Sequence, residues 1–166
     1  MDEFVAQKYV LPFYDDMPLG VHHRADELVR VAVGAPLSDL IYLLKSDEWR
    51  SRQIGAWLAI GRGGTEMLAA VYASLLTSDG ELTAPELAAA ALVLGGRDSL
   101  PVLQQFSDQI PPAETILRSL IERAIDLGLM LPTKPTSASD ASVGFDKYLQ
   151  TAYAIASSRE TVDDHR

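Results

Sequence analysis

LLKSDEWRSRQIGAWLAIGRGG, residues 43 to 64, is the stretch that decides the fold. Ser46 precedes two acids, and this pattern is typical of a helix start, where hydroxyl and carboxylate oxygens satisfy free amides and the positive helix dipole. Apolar residues then recur at three- and four-residue steps, which is a helical period; they are Trp49, Ile54, Trp57, Leu58 and Ile60. The glycine-rich end, residues 61–64, predicts that the helix stops there. The stretch therefore predicts a helix, a tight turn and a second helix.

The same layout recurs along the chain. Helices are predicted to end at Gly61, Gly95 and Gly128, which are 34 and 33 residues apart. A period near 34 with two helices per unit indicates a helical solenoid, in which each pair packs against the next. We therefore predict an all-α fold, a short right-handed helical-hairpin solenoid of about three helix pairs with capping helices at both ends. The alternative is a non-repetitive bundle whose helices happen to end in glycine.

Small residues inside the second helix of the deciding stretch carry a further prediction. Gly55, Ala56 and Ala59 take little space, so a neighbouring helix can come close to this part of the chain.

The chain divides into three segments. Residues 1–130 form the predicted helical-repeat domain, and residues 131–144 are small, polar and proline-bearing, which is typical of a linker. Residues 145–166 form a predicted C-terminal helix and tail. That helix either folds back on the domain or meets a partner.

Composition excludes several kinds of site. The 166 residues are 48% hydrophobic and include no cysteine, which removes disulfides, thiolate zinc sites and cysteine nucleophiles and fits a cytoplasmic location. The N-terminus, MDEFVAQKYV, lacks the positive charge of a secretory leader. No apolar run approaches the roughly 20 residues of a membrane span.

The charge balance bears on partners. A formal net charge of -9 argues against nucleic acid and anionic membranes, because binding to phosphate depends on lysine and arginine. An acidic surface can instead suit a basic protein partner. The alternative is that the charge serves solubility alone.

A resemblance to known families rests on three short segments. The deciding stretch resembles a HEAT-type repeat, and KYVLPFY at residues 8–14, with WRSR at 49–52 and GAWL at 55–58, resembles the uncharacterised bacterial family "domain of unknown function 6000". The resemblance covers about the first 75 residues and implies a small bacterial helical-repeat protein with no established enzymatic role. The resemblance to HEAT repeats further implies that Asp47 and Arg52 of this chain orient neighbouring turns.

Motifs for chemistry are weak. Residues 77–86 resemble half of a calcium-binding EF-hand loop, but a leucine falls on its first ligand position. Thr83 and Glu86 have the spacing of a capping box, which is the simpler interpretation. His22 and His23 provide two possible ligands, whereas zinc usually takes three or four. We therefore expect no catalytic residue, no metal and no cofactor.

The candidate partner-binding residues are acidic or aromatic. No lysine or arginine lies between Arg62 and Arg97, although this region has several acids, which predicts an acidic edge on the solenoid; they are Glu66, Asp79, Glu81 and Glu86. The alternative is a solvated loop. Trp49 and Trp57 lie about two helical turns apart and so share a helix face. They either pack in the core or form an exposed anchor for a binding partner.

These observations favour a non-catalytic protein-binding module, either monomeric or homodimeric. The narrower hypothesis is a bacterial immunity-type or regulatory protein that neutralises a basic partner such as a toxin domain. Two alternatives remain: a small-molecule-binding or enzymatic bundle with a site of scattered residues, and an adaptor that homodimerises through residues 145–156.

Overall fold

The structure, a computed structural model, describes residues 3–19, 22–78, 80, 82–130 and 145–163. The predicted all-α class is confirmed, since these residues contain nine α-helices and no strand: α1 Glu3–Tyr9, α2 Ala25–Gly34, α3 Leu37–Leu44, α4 Trp49–Arg62, α5 Thr65–Leu76, α6 Ala84–Gly95, α7 Leu100–Gln109, α8 Thr115–Met130 and α9 Asp146–Asp163. Short 3₁₀ segments lie at Leu11–Leu19, His22–Arg24 and Gly96–Ser99. The predicted linker, 131–144, lies outside the described residues.

Six of the helices are arranged in consecutive pairs. α3 packs against α4, α5 against α6, and α7 against α8. The first helices of successive pairs touch one another, as α3–α5–α7, and the second helices do the same, as α4–α6–α8. α2 packs on α4 beside the first pair. Each pair thus buries apolar surface against its neighbour in the chain.

The C-terminal helix folds back on this core. α9 packs across α2, α4 and α6 and buries an apolar face against them; Phe145 just before the helix, Leu149, Ala152 and Ile155 form that face. The guanidinium of Arg159 donates to the carbonyl oxygen of Ile60 at 3.0 Å. Of the two placements open to this helix, packing within the same chain is the one observed.

α4 and α6 are enclosed by their neighbours. All residues from 51 to 61 and from 83 to 93 are buried. The reason is that α2, α3, α5 and α9 pack around α4, and α5, α8 and α9 pack around α6. This position explains why α6 is rich in alanine, whose small side chain lets helices approach closely on every side.

Close helix contacts also explain several glycines. A Cβ atom at Gly55 would lie 3.0 Å from the backbone nitrogen of Leu44, so the predicted close approach is confirmed. The glycine run at residues 61–64 ends α4 as predicted, with Gly63 as its cap, but Gly61 itself lies inside the helix, and α8 continues past the predicted end at Gly128 to Met130. A Cβ at Gly61 would meet the Cβ of Ala32 at 3.0 Å, and one at Gly128 would meet a Leu100 methyl at 2.8 Å. These glycines admit neighbouring helices rather than end their own.

Helix starts also differ from the prediction by small shifts. α4 is capped by Glu48, whose carboxylate accepts a hydrogen bond from the Ser51 amide at 2.8 Å. The Ser46 hydroxyl instead accepts from the Glu48 amide at 3.1 Å. The helix therefore begins two residues later than a cap at Ser46 predicts, because the longer glutamate side chain takes the capping role.

Candidate functional site

The four predicted acidic residues do not form one surface. Glu66 is exposed in the first turn of α5, whereas Asp79 and Glu81 lie outside the described residues. Glu86 is only 3% exposed, so its assignment to an exposed acidic edge is wrong. The physical reason is that α6 is buried on all sides, including the turn that carries this carboxyl group.

The two tryptophans also have different settings. Trp57 is 4% exposed and belongs to the core, so the core-packing alternative is confirmed for it. Trp49 is half-buried at the start of α4, and the Arg50 guanidinium lies 4.0 Å from its ring centre. Arg50 also lies 4.9 Å from the Tyr14 ring and 3.4 Å from the Glu48 carboxylate. Trp49 therefore keeps some access to solvent beside a cation.

A groove opens at the end of the α5–α6 and α7–α8 pairs. It has a volume of about 370 Å³, within the usual range for ligand pockets. Its lining mixes apolar and polar side chains in similar measure; they are Leu76, Phe106, Ile110, Pro111 and Leu117 on the apolar side and Thr77, Ser78, Gln109 and Glu114 on the polar side. A concave surface that combines apolar side chains with convergent polar groups is a candidate binding surface.

Two arginines hold the rims of this groove. Arg52, on α4, donates to the carbonyl oxygen of Ser46 at 3.0 Å and to that of Thr77 at 3.2 Å. Arg118, on α8, donates to the carbonyl oxygen of Ile110 at 2.5 Å. Guanidinium groups at helix C-termini satisfy carbonyl oxygens that lack a partner within the helix. The contacts of Arg52 therefore connect the α3–α4 turn to the end of α5.

The groove carries negative charge. Glu114 is half-buried in its wall, and among the described residues its carboxylate has neither a hydrogen bond nor an ion pair. The wall also includes Gly80, which stands between Asp79 and Glu81 in the sequence. The guanidinium of Arg118 is already engaged by the Ile110 carbonyl. A cationic group in the groove would find an unpaired carboxylate.

A separate polar pair lies inside the core. The Gln53 side-chain amide on α4 lies 2.5 Å from one carboxyl oxygen of Glu86 on α6. The amide oxygen of Gln53 and the second carboxyl oxygen of Glu86 are buried without a hydrogen-bond partner among the described residues. Thr83, predicted to form a capping box with Glu86, makes no capping bond. Its hydroxyl instead lies 2.8 Å from that of Ser78, so the predicted capping box is wrong.

Burial controls the protonation of this pair. Loss of hydration raises the pKa of Glu86 to about 7, because a charged carboxylate is poorly solvated in the core. Its own backbone amide, Gln53 and the charge of Lys147 act in the opposite direction. The pKa of Tyr148 is raised to about 12, mainly by burial and to a smaller extent by the charge of Glu86. The arrangement can therefore gain or lose a proton near neutral pH.

One signal in the sequence points to this carboxyl group. Glu86 stands in APELAAAALVL, residues 84–94, where alanines and leucines fill every helical face. A helix that is apolar all round is predicted to be buried, so its single acid is predicted to be buried with it. Gln53 has no comparable signal, because α4 carries Arg50, Ser51 and Arg52 just before it.

The described residues give no sign of a metal site or a membrane span. They contain no group of three or more histidine, aspartate or glutamate side chains placed to hold an ion. None of the helices in this part of the chain combines the length and apolar character that crossing a bilayer requires.

Comparisons with known proteins found no matching family model, no matching curated protein and no matching solved structure. The resemblance to HEAT repeats and to the uncharacterised bacterial family stays a prediction.

Proposed function

We propose that this protein is a non-catalytic protein-binding module that holds a basic segment of its partner in the groove between the α5–α6 and α7–α8 pairs. The observation that carries the proposal is the half-buried carboxylate of Glu114, which has no partner among the described residues and lies beside apolar side chains. The net charge of -9 supports it, because opposite charge speeds association and disfavours acidic partners.

Lysine or arginine fits this groove chemically. The aliphatic part of either side chain can lie on Leu76 and Pro111, while its cationic end reaches Glu114. Such a pair contributes only about 1 kcal/mol or less when partly solvated, so several basic residues are expected in the partner segment. Asp79 and Glu81, on either side of Gly80 in the sequence, are proposed to bind the additional ones.

The helix contacts support a HEAT-like, right-handed solenoid as the scaffold for this site. The stacking of α3–α5–α7 and of α4–α6–α8 is the pattern that a short solenoid produces. α9 covers α2, α4 and α6, so the groove at the α7–α8 side is the open part of the scaffold. Within the binding class, we propose a cytoplasmic immunity-type or regulatory protein whose basic partner is a toxin domain or similar protein.

The homodimer alternative fits these contacts poorly. It requires the apolar face of residues 145–156 to be free, whereas Leu149, Ala152 and Ile155 are buried against the same chain. We therefore propose a monomer. A small organic ligand is the remaining alternative, and the 370 Å³ volume is the observation that favours it.

The test uses a fluorescent peptide of alternating lysine and leucine as the probe. Fluorescence anisotropy would compare the wild type with Glu114→Gln and with Asp26→Asn, a matched loss of one charge at an exposed position of α2. We expect Glu114→Gln to weaken binding about threefold to fivefold, equivalent to somewhat under 1 kcal/mol, and Asp26→Asn to have little effect.

Equal weakening by both variants would show that only net charge matters, which contradicts a specific groove. Absence of peptide binding by the wild type would contradict the basic-segment proposal and favour a small organic ligand.

A further inference from the structure

Glu86 lies where α6, α4 and α9 meet. It belongs to the first turn of α6, contacts Gln53 on α4 and interacts electrostatically with Lys147 and Tyr148 on α9. At 3% exposure it has almost no contact with water. Any change in its charge therefore acts directly on the contact between these helices.

The hydrogen bonds around Glu86 suit a neutral carboxyl group better than a carboxylate. Only Gln53 and the residue's own backbone amide support the charged form by hydrogen bonding, and the second carboxyl oxygen has no donor. An isolated buried charge costs several kcal/mol unless it is paired and fully hydrogen-bonded. Ionisation therefore leaves an oxygen that must recruit either water or a cation.

Several charged or titratable side chains on the neighbouring helices bond elsewhere or face solvent. On α4, the Arg52 guanidinium bonds to the carbonyls of Ser46 and Thr77. Between α8 and α9, Arg123 pairs with Asp146 at 3.3 Å. On α5, Tyr72 bonds to Ser99 and Glu66 is exposed. Among the described residues, the titratable side chains that interact with Glu86 are therefore Lys147 and Tyr148 on α9.

Lys147 is the one cation acting on Glu86 within the described residues. Its side chain is exposed, with the ammonium group 4.8 Å from the ring centre of Tyr148. Because the ammonium lies outside the core, it can meet an ionised Glu86 only if the first turns of α9 shift or water enters beneath them.

We propose that Glu86 is a pH-sensitive contact that, in its neutral form, holds the first turns of α9 against α4 and α6 and, when ionised, loosens them. This inference is independent of the groove and of its partner. Loosening would expose apolar surface of α4 and α6 that α9 covers at lower pH.

Amide hydrogen exchange of α9, followed by mass spectrometry at pH 6 and pH 8, tests the proposal. After correction for the intrinsic rate, we expect protection of the first turns of α9 to fall about tenfold between these values in the wild type. Glu86→Gln, which stays neutral, should keep constant protection. Glu66→Gln, the matched change at an exposed site, should behave like the wild type.

Constant protection in the wild type would overturn the proposal, as would an equal fall in Glu86→Gln. If Glu86→Gln does not fold, a ¹³C NMR titration of the wild-type side-chain carboxyls decides. A Glu86 midpoint near neutrality that rises further in Lys147→Met supports the proposal, and a midpoint at the ordinary glutamate value overturns it.

Discussion

Glu86 places a carboxyl group among the alanines and leucines of α6, where loss of hydration opposes its charge. A glutamate has an ordinary pKa of 4.5, and burial raises that of Glu86 to about 7. Between these values the folded chain holds a proton that the unfolded chain has released. The stabilisation from this group is fully present below pH 4.5 and is lost as the pH rises to about 7.

This difference predicts a measurable gain in stability from Glu86→Gln. The neutral amide does not ionise, so its free energy of unfolding does not carry this pH-dependent loss. We expect the difference in free energy of unfolding, variant minus wild type, to rise by up to about 3 kcal/mol from pH 4.5 to pH 8. Urea unfolding of both proteins at these two values measures it. A stability difference between them that stays the same at both pH values would contradict the raised pKa.

Sequence alone could mark Glu86 as an acid in an apolar helix, but could not identify its neighbours. Gln53 is 33 residues away, and Lys147 and Tyr148 lie more than 60 residues further along the chain. Which side chains meet a buried carboxyl group depends on helix packing, and local spacing carries no information about it.

At the scale of the helices, α3 and α4 meet at Gly55 without room for another carbon atom. An added Cβ would lie 3.0 Å from the Leu44 nitrogen and 3.1 Å from the Leu43 Cβ. The obstructing atoms include backbone, so the helices must separate to admit a methyl group. We expect Gly55→Ala to lower the free energy of unfolding by about 1–3 kcal/mol, as overpacking usually does.

Gly34→Ala is the matched control for this prediction. No atom lies within 4 Å of its added Cβ, so the substitution should be neutral or stabilise the chain by up to about 1 kcal/mol. Thermal unfolding of the two variants beside the wild type makes the comparison. A loss of the same size in both would assign the effect to helix propensity or backbone conformation instead of packing.

Helices were more predictable than their ends. The apolar period of residues 49–60 depends on local sequence, and α4 is present as predicted. Within the predicted glycine run, the sequence could not separate Gly61 from Gly63, because glycine serves equally as a helix terminator and as a gap for a neighbouring helix. Ala32, which packs against Gly61, lies on another helix. The terminator of α4 is Gly63, whose φ of +67° favours glycine.

For the molecule as a whole, α9 is part of the core. Phe145, Leu149 and Ile155 are buried, and burial of each such side chain contributes about 1.5–3 kcal/mol. Their sum is comparable with the entire stability of a typical domain. We therefore expect a chain that ends at residue 144 to lose its cooperative unfolding transition by circular dichroism. A folded monomer of this length would contradict the prediction.

Two single substitutions test the contribution of α9 to the core in the full-length chain. Ile155→Asp puts a charge into the contact with the core, whereas Gln150→Asp puts one on the exposed face of α9. Only the first should abolish cooperative unfolding. The placement of α9 could not be predicted, because which helices it meets depends on packing between segments far apart in the sequence.

The position of α9 also bears on how the chain is made. Arg159 contacts Ile60 across 99 residues of sequence, and protein synthesis at about 5–20 residues per second separates their appearance by about 5–20 s. During that interval α4 and α6 exist without the helix that covers them. The nascent chain thus carries an uncovered apolar surface, which a molecular chaperone could shield until translation supplies α9.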